Sequence, residues 1–140
     1  MSFDLTGRVA VVTGANTGIG QGIAVALAQA GADVALVGRT PAEDTAALVK
    51  AEGRRAEIIG ADLSTIAPVG DVVARVIEKL GGLHILVNNA GIIRRNDAVD
   101  FTEEDWDAVV DTNLKSVFFL SQAAGRHMIA HHQATGQRGK

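Results

Sequence analysis

A chain of 140 residues, 47% of them hydrophobic, has the size and apolar content of one domain with one core. Its formal net charge of −3 gives no electrostatic case for nucleic acid, and without cysteine it holds no disulfide, thiolate metal site or cysteine nucleophile. Met1–Arg8 lacks the basic start and apolar stretch of a signal peptide, and no apolar run reaches the roughly 18–20 residues of a membrane span, so a soluble cytoplasmic protein is expected.

Arg8–Thr13 is a short β-branched run bounded by glycines and reads as a buried strand. Ile19, Ile23, Leu27 and Ala30 follow at helical spacing, and Gly31 can stop that helix. Asp33–Val37 is a second strand. Thr40-Pro41-Ala42-Glu43 predicts a capped helix start, with Thr40 as cap and Glu43 completing a capping box; Gly53 closes the helix. Arg54-Arg55 reads as a solvated turn. Ala56–Ala61 is a third strand, ending at Asp62. Val69, Val72, Val73, Val76, Ile77 and Leu80 make one apolar helical face, stopped by Gly81-Gly82. Leu83–Val87 is a fourth strand, with His84 its polar interruption. Thr102 with Asp105 opens a long helix to about Ile129, whose stripe is Trp106, Val110, Asn113, Val117, Leu120 and Ala124. The tail from His131 is polar.

Strands alternating with helices imply parallel pairing through right-handed crossovers. The strands are almost wholly apolar, as when helices cover both faces. The expected fold is α/β: a Rossmann-type doubly wound parallel sheet in the order 3-2-1-4, one domain over residues 1–140.

Gly14, Gly18 and Gly20 lie between the first strand and first helix. Side chains there would block approach of a pyrophosphate to the backbone, and the helix N-terminus supplies free N–H groups. Asn16 and Thr17 add polar groups and Ile19 sits in the same turn. A tight ligand-free turn is the plain alternative. Asp62 and Leu63 end strand three, where a carboxylate can accept from an adenine amino group. Asn89, Ala90 and Gly91 end strand four, beside the expected crevice. Asn113 puts an amide on an apolar stripe, where it needs a partner; neighbouring backbone would satisfy it.

Thr13-Gly14-Ala15-Asn16-Thr17-Gly18-Ile19-Gly20, Asp62, Asn88-Asn89-Ala90-Gly91 and Asn113, in that order, resemble the short-chain dehydrogenase/reductase family along the whole chain. The resemblance implies an oxidoreductase moving a hydride between NAD(P) and a hydroxyl or keto group. It implies that Asn113 belongs to a catalytic tetrad with Ser, Tyr and Lys, and that its backbone carbonyl holds a water on the proton path. The sequence has no tyrosine, and Ser121 lies mid-helix; the other three members are absent from it. Gly139-Lys140 resembles the entry to a fifth strand, so the domain is expected to be incomplete at its C-terminus and inactive by itself. The alternative is a non-catalytic NAD(P)-binding module or truncated relative.

Residues 91–98, Asp105-Trp106-Asp107 and Lys115–Ala124 resemble the sugar-acid dehydrogenases of that family. Arg94 and Arg95 follow strand four, where a guanidinium could pair with a substrate carboxylate; a solvated arginine pair reads equally well. At the end of strand two, where an acid usually receives the ribose hydroxyls of NAD, Gly38-Arg39-Thr40 puts a cation instead, favouring NADP over NAD. The resemblance also implies a homo-oligomer, a tetramer, for the complete protein. His127 and His131 stand one helical turn apart without a suitable third ligand, so no metal is expected.

Overall fold

The computed structural model describes residues 3–140; Met1 and Ser2, the start of the segment tested for a signal peptide, lie outside the described residues. The elements are β1 (Val9–Thr13), α1 (Gly18–Gln29), β2 (Asp33–Gly38), α2 (Glu43–Ala51), β3 (Ala56–Gly60), α3 (Val69–Leu80), β4 (Ile85–Val87), a 3-10 turn (Ala98–Asp100), α4 (Glu103–Val110), a π turn (Asp111–Lys115) and α5 (Ser116–Thr135). The four strands form one parallel sheet in the order β3-β2-β1-β4, as the alternation predicts.

Alternating strand residues supply two cores. Val9, Val11, Ala35, Val37 and Ile59 face α3 and α5, meeting Val72, Val76, Leu80, Leu120 and Ala124. Val12, Val34 and Leu36 face α1 and α2, meeting Ala24, Ala28, Ala46 and Val49. Registers of Val12 with Leu36 and with Val87 bring three strand ends level, so the loops after β1, β2 and β4 open at one edge. Among the described residues no helix is long and apolar enough to cross a membrane.

Four sequence expectations need correction. Thr40 does not cap α2: the helix starts at Glu43, Ala42 takes the cap position, and no side chain caps it. Glu43 and Asp44 in the first turn supply the favourable negative charge instead. Arg54 and Arg55 are not a merely solvated turn. Both pair with buried Asp33, at 3.1 and 2.8 Å. Burial pushes the Asp33 carboxyl up, but the Arg55 N–H, guanidinium and charge, with Arg54, outweigh it and hold the group below its ordinary range.

The long helix is not continuous. Thr102 caps it as expected, accepting from the Asp105 N–H at 3.1 Å, but the π turn interrupts it and α5 runs on to Thr135, where Gly136 in the left-handed region ends it. The π turn also shifts the stripe. Thr112, Ser116, Leu120 and Ala124 are buried, whereas Asn113 and Trp106 are exposed. A π turn carries one residue more than the α register allows, so the lines before and after it do not join.

β4 begins at Ile85, later than predicted: the His84 N–H still donates to the Val9 carbonyl at 2.9 Å, but the Val9 N–H is taken by His84 Nδ1, also at 2.9 Å, and is lost to the ladder. The chain end then returns to this edge. Lys140 N–H donates to the His84 carbonyl at 2.9 Å and the Leu86 N–H donates to Lys140 O at 3.0 Å. Gly139-Lys140 thus begins to pair as a further parallel strand.

Burial lowers the affinity of His84 for a proton, and the charges of His131, Arg8 and His127 lower it further. Its ring meets that of His131 edge-on at 5.2 Å. The native state therefore takes up this proton less readily than the unfolded chain. The stability from His84 is present above the ordinary value of 6.5 and is lost as pH falls through the lower folded value. The melting temperature of the natural full-length protein should drop over that window, and a His84→Asn variant should lack this part of the drop. Identical pH profiles would remove His84 as its source. The histidines stack on one another; among the described residues no His, Asp and Glu group is arranged to hold a metal.

Candidate cofactor site

A cleft of about 470 Å³ opens at the C-terminal edge of the sheet. Its walls include Gly14, Asn16 and Thr17 after β1, Arg39 after β2, Asp62 and Leu63 after β3, and Asn89, Ala90, Gly91 and Arg94 after β4. Ten of the predicted site residues therefore meet in one place. Gly38, Thr40 and Ile92 line it as well, with Ser64, Ala108 and Thr112, which were not singled out from sequence.

The glycine turn is cut to fit its neighbours. Gly14 has φ +62, and a Cβ there would stand 2.9 Å from the Ala90 Cα. A Cβ on Gly20 would overlap the Gly14 carbonyl and lie 2.5 Å from Asn89 Nδ2. Gly20 thus serves close helix–strand packing outside the cleft, while Ile19 is exposed. Thr17 sits at the α1 cap position without a side-chain cap bond, leaving the first N–H groups of the helix available to an anion. Backbone N–H groups, absent side chains and a helix N-terminus together fit a dinucleotide pyrophosphate.

Two threonines hold this turn: Thr13, which opens the glycine motif, and Thr45, which nothing in the sequence singled out. Thr13 Oγ1 accepts the N–H groups of Asn89 and Ala90 at 3.0 and 2.9 Å. Asn89 answers by donating Nδ2 to the carbonyls of Thr13 and Gly14, both at 3.1 Å. The Asn89 amide therefore fastens the β4 end to the β1 turn. Thr45 of α2 donates to the Ala15 carbonyl at 2.7 Å and accepts from Gln21 Nε2 at 3.0 Å. A polar residue closing an apolar strand just before a glycine was the available signal for Thr13; Thr45 offered none.

Asp62 is exposed to the cleft. The Ser64 N–H and hydroxyl both donate to its Oδ1, at 3.0 and 2.7 Å, and hold its carboxyl below the usual range, with a smaller contribution from Arg39. Both of those bonds go to Oδ1, so Oδ2 can accept from a ligand. Arg39 stands exposed on the same wall.

The Asn113 side chain, though exposed, finds backbone partners. Its side chain closes a reciprocal pair with Ile92, Oδ1 accepting the N–H and Nδ2 donating to the carbonyl, both at 2.8 Å. Gly91 lies close against it: a Cβ would make a tight contact, 3.3 Å from Oδ1. Asn113 thus anchors the β4 loop through its side chain, outside the main cleft. Arg94 is divided between the cleft and Asp105, 3.5 Å from its Nε. Arg95 lies exposed and outside the cleft walls.

The sequence pattern of short chain dehydrogenases matches residues 8–137. The chain belongs to the short-chain dehydrogenase family. As a member it is 50% identical over 129 residues to a 2-dehydro-3-deoxy-D-gluconate 5-dehydrogenase of Escherichia coli, covering 92% of this chain and 51% of that protein. It is 48% identical over 129 residues to a protein of the same name from Bacillus subtilis, covering 91% of this chain and 50% of the other. A short chain dehydrogenase from Burkholderia cenocepacia, solved in complex with NADP, superposes with a TM-score of 0.83 at 45% identity, covering 88% of this chain and 51% of that one. This short-chain dehydrogenase chain spans about half the length of the relatives it matches.

Proposed function

We propose that residues 1–140 are the dinucleotide-binding part of an oxidoreductase acting on a hydroxyl or keto group of a sugar acid such as 2-dehydro-3-deoxy-D-gluconate or 2-deoxy-D-gluconate. The observation that carries the reading is the meeting of the glycine turn, Asp62 and Asn89–Gly91 on one cleft. Bound there, a nicotinamide dinucleotide supplies or accepts a hydride. The backbone of Gly14 and of the α1 start at Gly18 and Ile19, with Asn16 and Thr17, would hold the pyrophosphate. Asp62 Oδ2 accepts from the adenine amino group beside the Leu63 peptide. Ala90 and Gly91 line the nicotinamide end. Arg39 faces the ribose and favours NADP over NAD.

Asn113 keeps the β4 loop in place through Ile92 and offers its backbone carbonyl to a water on the proton path. Its setting in a π turn supports that role, since such turns recur at functional sites. Arg94 and Arg95 are placed to meet a substrate carboxylate, with Arg94 exchanging Asp105 for the ligand. Trp106, Leu114 and Phe118 stand exposed along α4–α5, which supports subunit packing; the assembly proposed is a homotetramer, and the location the cytoplasm. No tyrosine occurs among the 140 residues, so the acid/base is not supplied by a tyrosine of this segment. The second reading is a module that binds NAD(P) without turnover.

The test is turnover by the natural full-length protein, followed by nicotinamide absorbance. It should oxidise 2-dehydro-3-deoxy-D-gluconate with NADP or NAD and act poorly on neutral sugars of the same size. Cofactor binding without turnover of any sugar acid would establish the second reading in its place.

A further inference from the structure

The loop between β3 and α3 carries Asp62 and Leu63, yet most of its bonds are internal. Ser64 bonds back to Asp62, the Ala67 N–H to Thr65 Oγ1 at 3.2 Å, and the Val69 N–H to the Ile66 carbonyl at 3.2 Å. Such local bonds shape a loop without fixing how it faces its surroundings. Its entry is held where the Ala61 N–H meets the Gly38 carbonyl at 3.0 Å, and the Leu63 side chain is buried in the core. Neither contact fixes the rotation of the peptides that follow.

Ser116 does. Its hydroxyl donates to the Leu63 carbonyl and stands 3.4 Å from the Thr65 carbonyl. The residue is 3% exposed and forms no part of the cleft wall. The π turn delivers it there: the Ser116 N–H donates to the Asp111 carbonyl, five residues back. The same segment grips the opposite side of the cleft. Asn113 pairs with Ile92, and Ser121 Oγ accepts from Asn88 Nδ2 at 3.1 Å. One stretch of helix thus holds the loops at both ends of the site.

We propose that Ser116 is a positioning residue for adenine recognition, orienting the Leu63–Ser64 peptide, whose carbonyl it holds and whose N–H donates to Asp62 Oδ1. The proposal rests on the NAD(P) reading above. Its test uses the natural full-length protein, with AMP as an adenine probe and NADPH as the cofactor. Ser116→Ala should raise both Kd values by the same factor, roughly five-fold, and change kcat at saturating cofactor less than about two-fold, as expected from losing one neutral hydrogen bond outside the reacting centre. Ser116→Cys keeps the volume with a weaker donor and should shift both Kd values the same way if alanine costs the fold. Ser116→Thr, which keeps the hydroxyl, should stay near wild type. Combined with Asp62→Ala, the loss should be less than the product of the single losses, because both act on one contact. An unchanged AMP Kd in both Ser116→Ala and Ser116→Cys, or fully multiplicative losses, would overturn the proposal. A wild-type protein binding neither AMP nor NADPH would instead remove the cofactor reading, and the proposal with it.

Discussion

Replacing Arg39 by Asp should lower kcat/KM with NADP by roughly a hundredfold, the scale of one charge-assisted contact to a phosphate lost and a repulsion gained, while NAD is affected far less. The expectation follows from position. Arg39 directly follows Gly38, the last residue of β2, and stands exposed on the same cleft wall as Asp62. A ribose 2′-phosphate there meets a guanidinium, and a carboxylate in its place would repel it. That introduced carboxylate could accept from the ribose hydroxyls of NAD, which is how an acid at the second strand end usually works. Both cofactors must be measured on wild type and variant of the natural full-length protein. A ratio that does not move would show that another group reads the ribose.

The largest expected effect on stability comes from one methyl group. Gly20→Ala should destabilise the fold by about 2–3 kcal/mol, the usual scale for overpacking a close contact. The added Cβ meets the Gly14 carbonyl and the Asn89 amide. Relief requires α1 to move off β1 or the Asn89 bonds to Thr13 and Gly14 to break, so cofactor binding should weaken together with stability. Gly22→Ala is the matched control: it lies in the same helix with nothing within 4 Å of its Cβ. That change should stabilise by about 0.5–1 kcal/mol through helix propensity alone. Thermal melts of the two variants should move in opposite directions. Equal shifts would mean that the packing of Gly20 against the turn is not what the fold depends on.

The sheet was legible because its strands are short β-branched runs separated by glycines and helical periods, signals that need no tertiary context. Residues 14–20, Asp62 and 88–91 were legible for a related reason: strand order alone carries them to one edge. What stayed hidden depends on contacts across the chain. Nothing in Asp111–Lys115 signals a π turn, so the stripe through Asn113 and Val117 looked continuous. Arg54 and Arg55 are about twenty residues from Asp33 in sequence, and the lateral pairing of β2 with β3 brings them together. Thr40 had a good capping pattern, but the chain there runs along the cleft wall and turns into α2 only at Glu43. That the Asn89 amide also fastens the β1 turn is a matter of distance rather than residue type.

The pairing of Lys140 works as a ruler along the outer edge of β4. Its two bonds, to His84 and Leu86, set it beside Ile85 in parallel register. A segment extending Lys140 along this edge inherits that phase, and each residue advances about 3.3 Å. The third residue onward would draw level with Asn88, and from there the backbone would pass the open end of the cleft beside Gly91 and Ile92. Side chains would alternate between the α3–α5 face and the α1–α2 face at every step. Insertion or deletion of a single residue between Gly136 and Lys140 would reverse that alternation, turning toward one layer whatever had been aimed at the other. The few residues after α5 therefore fix the phase in which anything beyond them meets the site.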